Sequence, residues 1–316
     1  MSQPRKSRVR VAFQGEHGAF SEAAAIQLLG ESIETIPRPT FDSAFRAISE
    51  SAADALLAPV ENSLAGSVVR VYDLLLESNL NIVAETILPI EHHLIGCPGA
   101  TLANLKSAAS HPMALAQCER FFLSHPELKR VPAEDTAGSV RDVLASGDRS
   151  AAGIAGRQAA TRYGGVILSE SIQDNTENFT RFVLLIPVQS DALLDSANSA
   201  RASSAAMTGL MAELRARRGN DPAANAKTLK LSLALKLAHK PGALLAALEP
   251  FARHGINLLK IESRPIHGSP WEYQFFLDVQ TEDPTMLKRA LKDLEPATSF
   301  LRVLGAYAPA SSEAFS

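Results

Sequence analysis

The sequence predicts an α/β protein with two layered lobes, followed by a separate C-terminal βαββαβ unit. Three observations predict this: apolar strands alternate with helical periodicity from Val9 to Ile186, a small-residue stretch interrupts the pattern after it, and a second alternation of different order follows. At 316 residues the chain exceeds what one ordinary core holds. Its 46% hydrophobic and 21% charged residues read as globular rather than disordered. Thirty-one basic against 34 acidic residues, a formal charge of -3, leave no basic footprint for nucleic acid. No apolar run is long enough for a membrane span, and Met1 to Arg10 carries charge without a following apolar signal core. A cytoplasmic protein with no membrane and no nucleic-acid partner is therefore expected. Cys97 and Cys118 form neither a CxxC pair nor a disulfide framework, which suits a reducing compartment.

Taken in order, Val9 to Phe13 suits a buried strand and Phe20 to Leu29 a helix closed by Gly30. Phe41, Ala44, Phe45 and Ile48 recur at helical spacing; Ala55 to Val60 reads as a strand and Val68 to Leu76 as a helix. A second lobe begins near Pro89 with a strand at Ile90 to Cys97, punctuated by Pro98-Gly99. It continues with helices at Pro112 to Leu123 and Thr136 to Ala145, the strand Ala151 to Ala155, and the helix Arg157 to Tyr163. The chain then returns to the first lobe around Gln173 to Ile186. These readings give lobe one as 8–88 with 174–189 and lobe two as 89–173, with a cleft between them.

Residues 190–228 turn to Ala, Ser, Arg, Asn and Gly and read as a linker, with a short helical stretch at Met207 to Arg217. In 229–308, Leu231, Leu233, Leu235 and Leu237 alternate with smaller or polar residues, the pattern of a half-buried strand. A helix at Ala243 to His254, strands at Ile256 to Glu262 and Glu272 to Val279, a helix opened by Asp283-Pro284 and a strand at Phe300 to Ala306 complete a ferredoxin-like order. The open edge or face of such a sheet commonly takes a partner, so a homodimer or homotetramer is expected.

Ligands of layered α/β sheets bind beyond the carboxyl ends of strands. Glu61, Asn62 and Ser63 lie there, either binding substrate oxygens or forming a turn and helix cap. Ser67 precedes the next helix and is expected to cap it, leaving N–H groups for an anion. Ser110-His111-Pro112 ends a strand and opens a helix, with Pro at a tolerated first-turn position. His111 is read as a proton shuttle or a helix-entry packing residue. Thr136 repeats the design as a cap or anion contact. Glu91-His92-His93 looks like a metal cluster by composition only, since neighbouring strand residues diverge; a surface or core role is expected. Gly15-Glu16-His17-Gly18 lacks GxGxxG or a P-loop lysine, so it reads as a loop shaping a substrate site rather than a nucleotide site. Phe121 and Phe122 read as core.

Five segments in this order resemble prephenate dehydratases: Gly15-Glu16-His17-Gly18-Ala19-Phe20-Ser21; Pro59-Val60-Glu61-Asn62-Ser63 with Gly66-Ser67; Ser110-His111-Pro112 with Ala114-Leu115-Ala116-Gln117-Cys118; Asp135-Thr136-Ala137; and Asn178-Phe179-Thr180-Arg181-Phe182. The resemblance implies a periplasmic-binding-protein-like catalytic region over 8–189 that converts prephenate to phenylpyruvate, water and carbon dioxide with no cofactor and no metal. It assigns proton donation to Thr180, which sequence physics alone reads as a strand-entry residue making a backbone hydrogen bond. Arg181 either pairs with a substrate carboxylate or braces the strand, since adjacent strand residues face opposite ways.

Gly242-Ala243-Leu244-Leu245 and Glu262-Ser263-Arg264-Pro265 resemble the two phenylalanine-binding motifs of ACT domains, and Asn257 is expected to complete that effector pocket. Gly242 reads as permitting close backbone approach at a strand-to-helix turn. Leu259 stands where the regulatory motif often carries Thr. With only Met1 to Arg8 before the first strand, a single-function enzyme without a chorismate mutase domain is expected. Val71-Tyr72-Asp73-Leu74-Leu75-Leu76 is similar to plant-type members, which keeps arogenate open as the substrate. A noncatalytic small-molecule binding protein with the same two lobes and a purely regulatory amino-acid sensor are the remaining alternatives.

Overall fold

The computed structural model describes residues 8–187, 214, 228–266 and 269–310. The expected linker at 190–228 and its helical stretch lie outside the described residues, Leu214 and Thr228 apart. The chain divides into two compact units, Met1–Leu76 with Thr86–Phe182, and Glu77–Glu85 with Val183–Ser316. The sequence reading had grouped 77–85 and 183–189 with the first lobe; here two long strands, introduced below, each carry residues of both units.

In the first unit β1 (Arg10–Gln14), α1 (Phe20–Leu29), β2 (Glu34–Arg38), α2 (Phe41–Ser49) and β3 (Ala55–Asn62) follow one another. β1 pairs in parallel with both β2 and β3, and Phe13, Leu56 and Leu57 are fully buried there. The α2 periodicity holds: Ala44, Phe45, Ala47 and Ile48 are its buried face, and Thr40 with Ser43 closes a capping box at its start. Ser67 belongs to the two-residue strand β4 (Gly66–Ser67), paired with Glu61, and α3 (Val69–Glu77) starts two residues on. Next comes β5 (Leu80–Pro89), a strand the sequence reading missed because Asn81, Glu85 and Thr86 break its apolar pattern while being buried themselves.

The second lobe holds β6 (His93–Gly96), β7 (Ser107–Ser110), α4 (Pro112–Ala116), α5 (Glu119–Ser124), β8 (Lys129–Pro132), α6 (Thr136–Ser146), β9 (Ala151–Ala155), α7 (Arg157–Tyr163) and β10 (Val166–Ser169), with sheet order β10-β6-β9-β7-β8. The strand expected at Ile90 to Cys97 is shortened to β6. The helix expected at Pro112 to Leu123 is two: the Asp174 carboxylate accepts from the amides of Glu119 at 3.0 Å and Arg120 at 2.9 Å, capping a second helix start and leaving Gln117 and Cys118 in the break. β11 (Phe179–Pro187) returns to the first lobe, its Phe179 carbonyl accepting from the Ser63 amide at 2.8 Å.

The two lobes share a core cluster that includes Phe13, Ala19, Ile95, Val140 and Ala159. Gly18, at φ +86°, lies so close to α7 that a Cβ there would stand 2.8 Å from Ala159 Cα. The Tyr163 hydroxyl donates to His17 O at 2.8 Å, and Arg141 pairs with Glu16 at 2.9 Å. The Gly15–Gly18 loop therefore ties lobe one to lobe two. Burial opposes ionisation of Glu22, but hydrogen bonds from the Gly18 amide, the Thr35 hydroxyl and His17 outweigh it and hold the carboxyl below its ordinary range. This anchor is at full strength at neutral pH and is lost only as acid protonates Glu22.

The second unit is built on β12 (Leu229–Leu237), α8 (Ala243–Arg253), β13 (Asn257–Ile266), β14 (Ser269–Thr281), α9 (Pro284–Leu294) and β15 (Thr298–Tyr307). Its strand order β13-β14-β12-β15 with antiparallel pairing is the expected ferredoxin-like sheet. Asp283 caps α9 through the Thr285 amide at 2.8 Å, with Pro284 at the first turn. Leu231, Leu233 and Leu235 face the cluster of Ala247, Phe251, Leu287 and Leu291. The half-buried reading of β12 is corrected: Lys230 and Ser232 on its other face are buried too. Lys230 Nζ sits 3.0 Å from Glu85 Oε2 on β5, and the Ser232 hydroxyl meets Asp278 and Tyr307. Alternation there separates an apolar buried face from a polar buried face. Among the described residues no helix is long and apolar enough to cross a membrane.

Removing one member of a buried ion pair strands the other. Lys230→Met is expected to lower unfolding free energy by about 3–5 kcal/mol, and Lys230→Met with Glu85→Leu to recover much of that loss. Urea denaturation midpoints of the two variants check this; an unshifted midpoint for Lys230→Met alone would contradict it.

Candidate active site

At the end of β3 the chain turns, and Asn62 does two things at once. Its Oδ1 accepts from the amides of Leu64 at 3.0 Å and Ala65 at 2.8 Å, closing the turn. Its Nδ2 donates to the Phe179 carbonyl at 3.1 Å, to Asn178 Oδ1 at 2.7 Å and to Thr180 Oγ1 at 2.9 Å. Three acceptors share two hydrogens, so one of those bonds is bifurcated. Ser63 reinforces the same junction: its hydroxyl donates to Glu177 O and accepts from the Phe179 amide, both at 2.9 Å.

Thr180 is buried on β11, and its oxygen accepts from Asn62. No described residue accepts its hydroxyl proton. Arg181, on the opposite face of the strand, has Nη1 3.6 Å from Glu61 Oε2, an ion pair between β11 and the end of β3.

The second lobe supplies Gln117, from the break between α4 and α5. Its Oε1 accepts from Asn178 Nδ2 at 3.2 Å and meets His92 Nε2 at 3.0 Å. Gln117 is half-buried, and no described residue accepts from its amide nitrogen. A hydrogen-bonded chain thus runs from Thr180 through Asn62 and Asn178 to Gln117 and His92. Sequence reasoning left Gln117, Asn178 and His92 out of the site. Gln117 and Asn178 lay inside the matching segments, which was the one available signal.

The remaining expected residues are placed as follows. Ser110 is fully buried, and its hydroxyl donates to Ile154 O at 2.6 Å, tying β7 to β9. His111 caps α4, its Nδ1 accepting from the Met113 amide at 3.2 Å. The cap of α6 is Asp135, whose Oδ1 accepts from the Gly138 amide at 2.6 Å; Thr136 follows it as the first helical residue, half-buried. Cys118 is no nucleophile: burial, reinforced by Asp174, pushes its thiol up to about 12.

In the second unit Gly242 precedes α8 at φ +78°, with no described atom within 4 Å of where a Cβ would stand. Its backbone conformation, rather than a close approach, is what calls for glycine. Ala243 is buried, Leu244 and Leu245 are exposed, and Glu262 meets Lys260 Nζ at 3.3 Å. Asn257 opens β13 opposite Gln280, and Ser263, Arg264 and Pro265 follow on the same strand, paired with β14.

Comparisons with known proteins agree with this architecture. The prephenate dehydratase family model matches residues 11–189 and the ACT domain model residues 232–296. Arogenate dehydratase/prephenate dehydratase 2, chloroplastic, of Arabidopsis thaliana is 37% identical over 311 residues, 95% of this chain and 73% of that one. The structure of the prephenate dehydratase of Arthrobacter aurescens in complex with L-Phe is similar, with TM-score 0.76, 30% identity, and 95% and 90% of the two chains covered. That of GqqA, described as a novel type of quorum quenching acylase, has TM-score 0.78 and 30% identity, with 96% and 99% covered.

Asn62→Asp puts an oxygen opposite three acceptors, and each stranded buried group costs about 1–3 kcal/mol. The variant is expected to unfold at lower urea concentration than wild type by at least one such step. Asn62→Asp with an unchanged midpoint would show that the Nδ2 bonds carry no net stability.

Proposed function

Because the chain belongs to the prephenate dehydratase family, we propose that it expels the ring hydroxyl and ring carboxylate of prephenate, giving phenylpyruvate, water and carbon dioxide. The observation that carries this reading is the Asn62 Nδ2 donor 2.9 Å from Thr180 Oγ1. An oxygen that accepts from an amide turns its own proton away from that amide. The Thr180 hydroxyl is then directed to donate to a departing hydroxide, while aromatisation supplies the driving force. A threonine is a poor acid in water; holding it buried and oriented against the leaving oxygen is what the protein adds.

Around that donor, neutral groups position the substrate. The Gln117 amide nitrogen and the exposed side of the Asn62–Ser63 turn offer hydrogen bonds to substrate oxygens. Glu61 and Arg181 brace β11 beneath Thr180, with Arg181 acting through Glu61. Ser67 and Thr136 remain proposed substrate contacts, while Ser110, fully buried with its hydroxyl on Ile154 O, is proposed to act only by fixing β7. The reaction needs a proton donor and an oriented anion, and these residues meet that need with no cofactor in the scheme.

Arogenate is the second substrate, since the leaving chemistry is the same and the Arabidopsis relative carries both names. An acylase reading has less support: acyl transfer needs an activated nucleophile. The Cys118 thiol is held protonated, the Ser110 hydroxyl is spent on Ile154 O, and the Thr180 oxygen accepts from an amide rather than donating to a base.

The ACT unit is proposed to bind L-phenylalanine at Gly242, Ala243, Leu244 and Leu245 with Asn257 and Glu262, Ser263, Arg264 and Pro265, lowering turnover. The Ala243 amide already donates to Lys240 O at 3.2 Å, so the Leu244 and Leu245 amides at the start of α8 are the ones proposed to receive the effector carboxylate, and the Arthrobacter relative was solved with L-Phe. A homodimer or homotetramer completes this proposal, bringing two such sheets together.

Three measurements test the reading. Wild-type kcat/KM on pure prephenate and arogenate decides the substrate; turnover of neither overturns the dehydratase reading. Thr180→Val keeps the branched shape and deletes the hydroxyl, so kcat is expected to fall by about 10²–10⁴-fold with the fold intact. Gly242→Val forces a β-branched residue into the left-handed region at a cost of about 1–3 kcal/mol. It is expected to raise the phenylalanine concentration for half-inhibition while uninhibited turnover stays near wild type; calorimetry finding no phenylalanine binding to wild type would remove the effector.

A further inference from the structure

His92 is a buried histidine that the scheme above leaves without a task. It lies between β5 and β6, 2% exposed, with the Phe20 ring edge-on at 5.7 Å. Its backbone is fixed on both sides: the amide donates to Gln173 Oε1 at 2.8 Å, and the carbonyl accepts from the Ile172 amide at 2.8 Å. Its ring makes one polar contact, Nε2 to Gln117 Oε1 at 3.0 Å. Nδ1 is the one buried side-chain polar atom with no hydrogen-bond partner among the described residues.

The direction of every bond leading to that ring follows from backbone groups, which cannot exchange roles. Asn62 is oriented by the Leu64 and Ala65 amides, which only donate, and by the Phe179 carbonyl, which only accepts. Its nitrogen therefore faces Asn178, so Asn178 presents oxygen to Asn62 and nitrogen to Gln117. Gln117 must then present oxygen, and a ring nitrogen meeting that oxygen must carry a proton. His92 is the Nε2–H tautomer with Nδ1 bare. Burial, the largest influence, holds the imidazole below its ordinary range, the Gln117 contact opposes that, and His93 adds to it. A proton on Nδ1 would stand buried with no described acceptor.

With its oxygen occupied by two donors, Gln117 can turn only its NH2 group toward a ligand. We infer that His92 is a positioning residue of the dehydration: as a neutral Nε2–H donor it locks the Gln117 side chain with the amide nitrogen presented to the substrate's departing hydroxyl or ring carboxylate. The inference rests on the dehydratase reading for the ligand but not for the tautomer or the lock. Without the His92 N–H, Gln117 keeps one donor and is free to rotate; with it, the rotamer is held from both lobes.

The test uses the full chain and combines kinetics with spectroscopy. His92→Leu is expected to lower kcat by up to about 10²-fold, with a smaller change in KM, as a mispositioned contact does. His92→Gln, which restores an N–H donor, is expected to regain most of the loss. In the Gln117→Leu background, adding His92→Leu is expected to lower kcat little further, because both act through one group. Losses that multiply in the double variant, or wild-type kcat in a folded His92→Leu enzyme, would overturn the inference. Nitrogen NMR of the wild-type chain labelled at histidine reads the tautomer without reference to turnover, even if a variant fails to fold. A protonated Nε2 and bare Nδ1 at neutral pH are expected, and an Nδ1–H tautomer or an imidazolium would refute the lock. Wild-type turnover of neither prephenate nor arogenate would sink the dehydratase reading, while the NMR result would still decide whether the lock exists.

Discussion

The Asn62 side chain is the constraint on which the rest of the site depends. One amide group closes the turn after β3 with its oxygen and holds Asn178, Phe179 and Thr180 with its nitrogen. Because the oxygen is committed to backbone amides, the nitrogen has no freedom to exchange with it, and the polarity of the whole chain of contacts follows. An aspartate would supply the turn-closing oxygen equally well but not the donor. A glutamine, one methylene longer, would not fit both tasks from the same backbone. The residue type is thus set by two demands of opposite sign met within one planar group.

That dependence explains which parts were legible in the sequence. β1, α1, α2, β9 and the βαββαβ order of the C-terminal unit carry their period along a few consecutive residues, and each formed as read. β5 was missed because its polar residues are buried: Glu85 finds Lys230, and Thr86 accepts from Gln27 at 2.7 Å, partners far off in sequence. The Pro112 to Leu123 pattern looked like one helix because Asp174, which caps the second half, lies some fifty residues away. Gln117, Asn178 and His92 share this character. Their contacts span 61 and 25 residues, so no local spacing announces them; only membership in a segment of family resemblance drew attention to the first two.

Polar burial is handled alike in both units, though for different ends. In the second unit, Lys230, Glu85, Ser232, Asp278 and Tyr307 form a buried set on the face of the sheet away from its helices. Near it β15 approaches β5 so closely that a Cβ on Gly305 would stand 2.2 Å from Ile82 O. Such a set resists substitution one residue at a time, since each member satisfies another. Its net contribution to stability is small compared with the cost of removing one member, because the desolvation of the ions offsets much of their attraction.

In the first unit the buried polar set is neutral, and that matters for chemistry. A hydroxyl acid cannot be tuned to the working pH as a histidine or carboxylate can; its usefulness comes from where its proton points. In the proposed reaction, a neutral amide network would fix that direction without placing a negative charge beside the substrate's own anionic groups. The Arg181–Glu61 ion pair stays one step removed, on the opposite face of the strand, where in the proposed reaction it would not compete for the leaving oxygen. A carboxylate directly against Thr180 would take its hydroxyl hydrogen bond and repel the anionic substrate. An amide donor does neither, and it leaves the hydroxyl one unfilled role, that of donor.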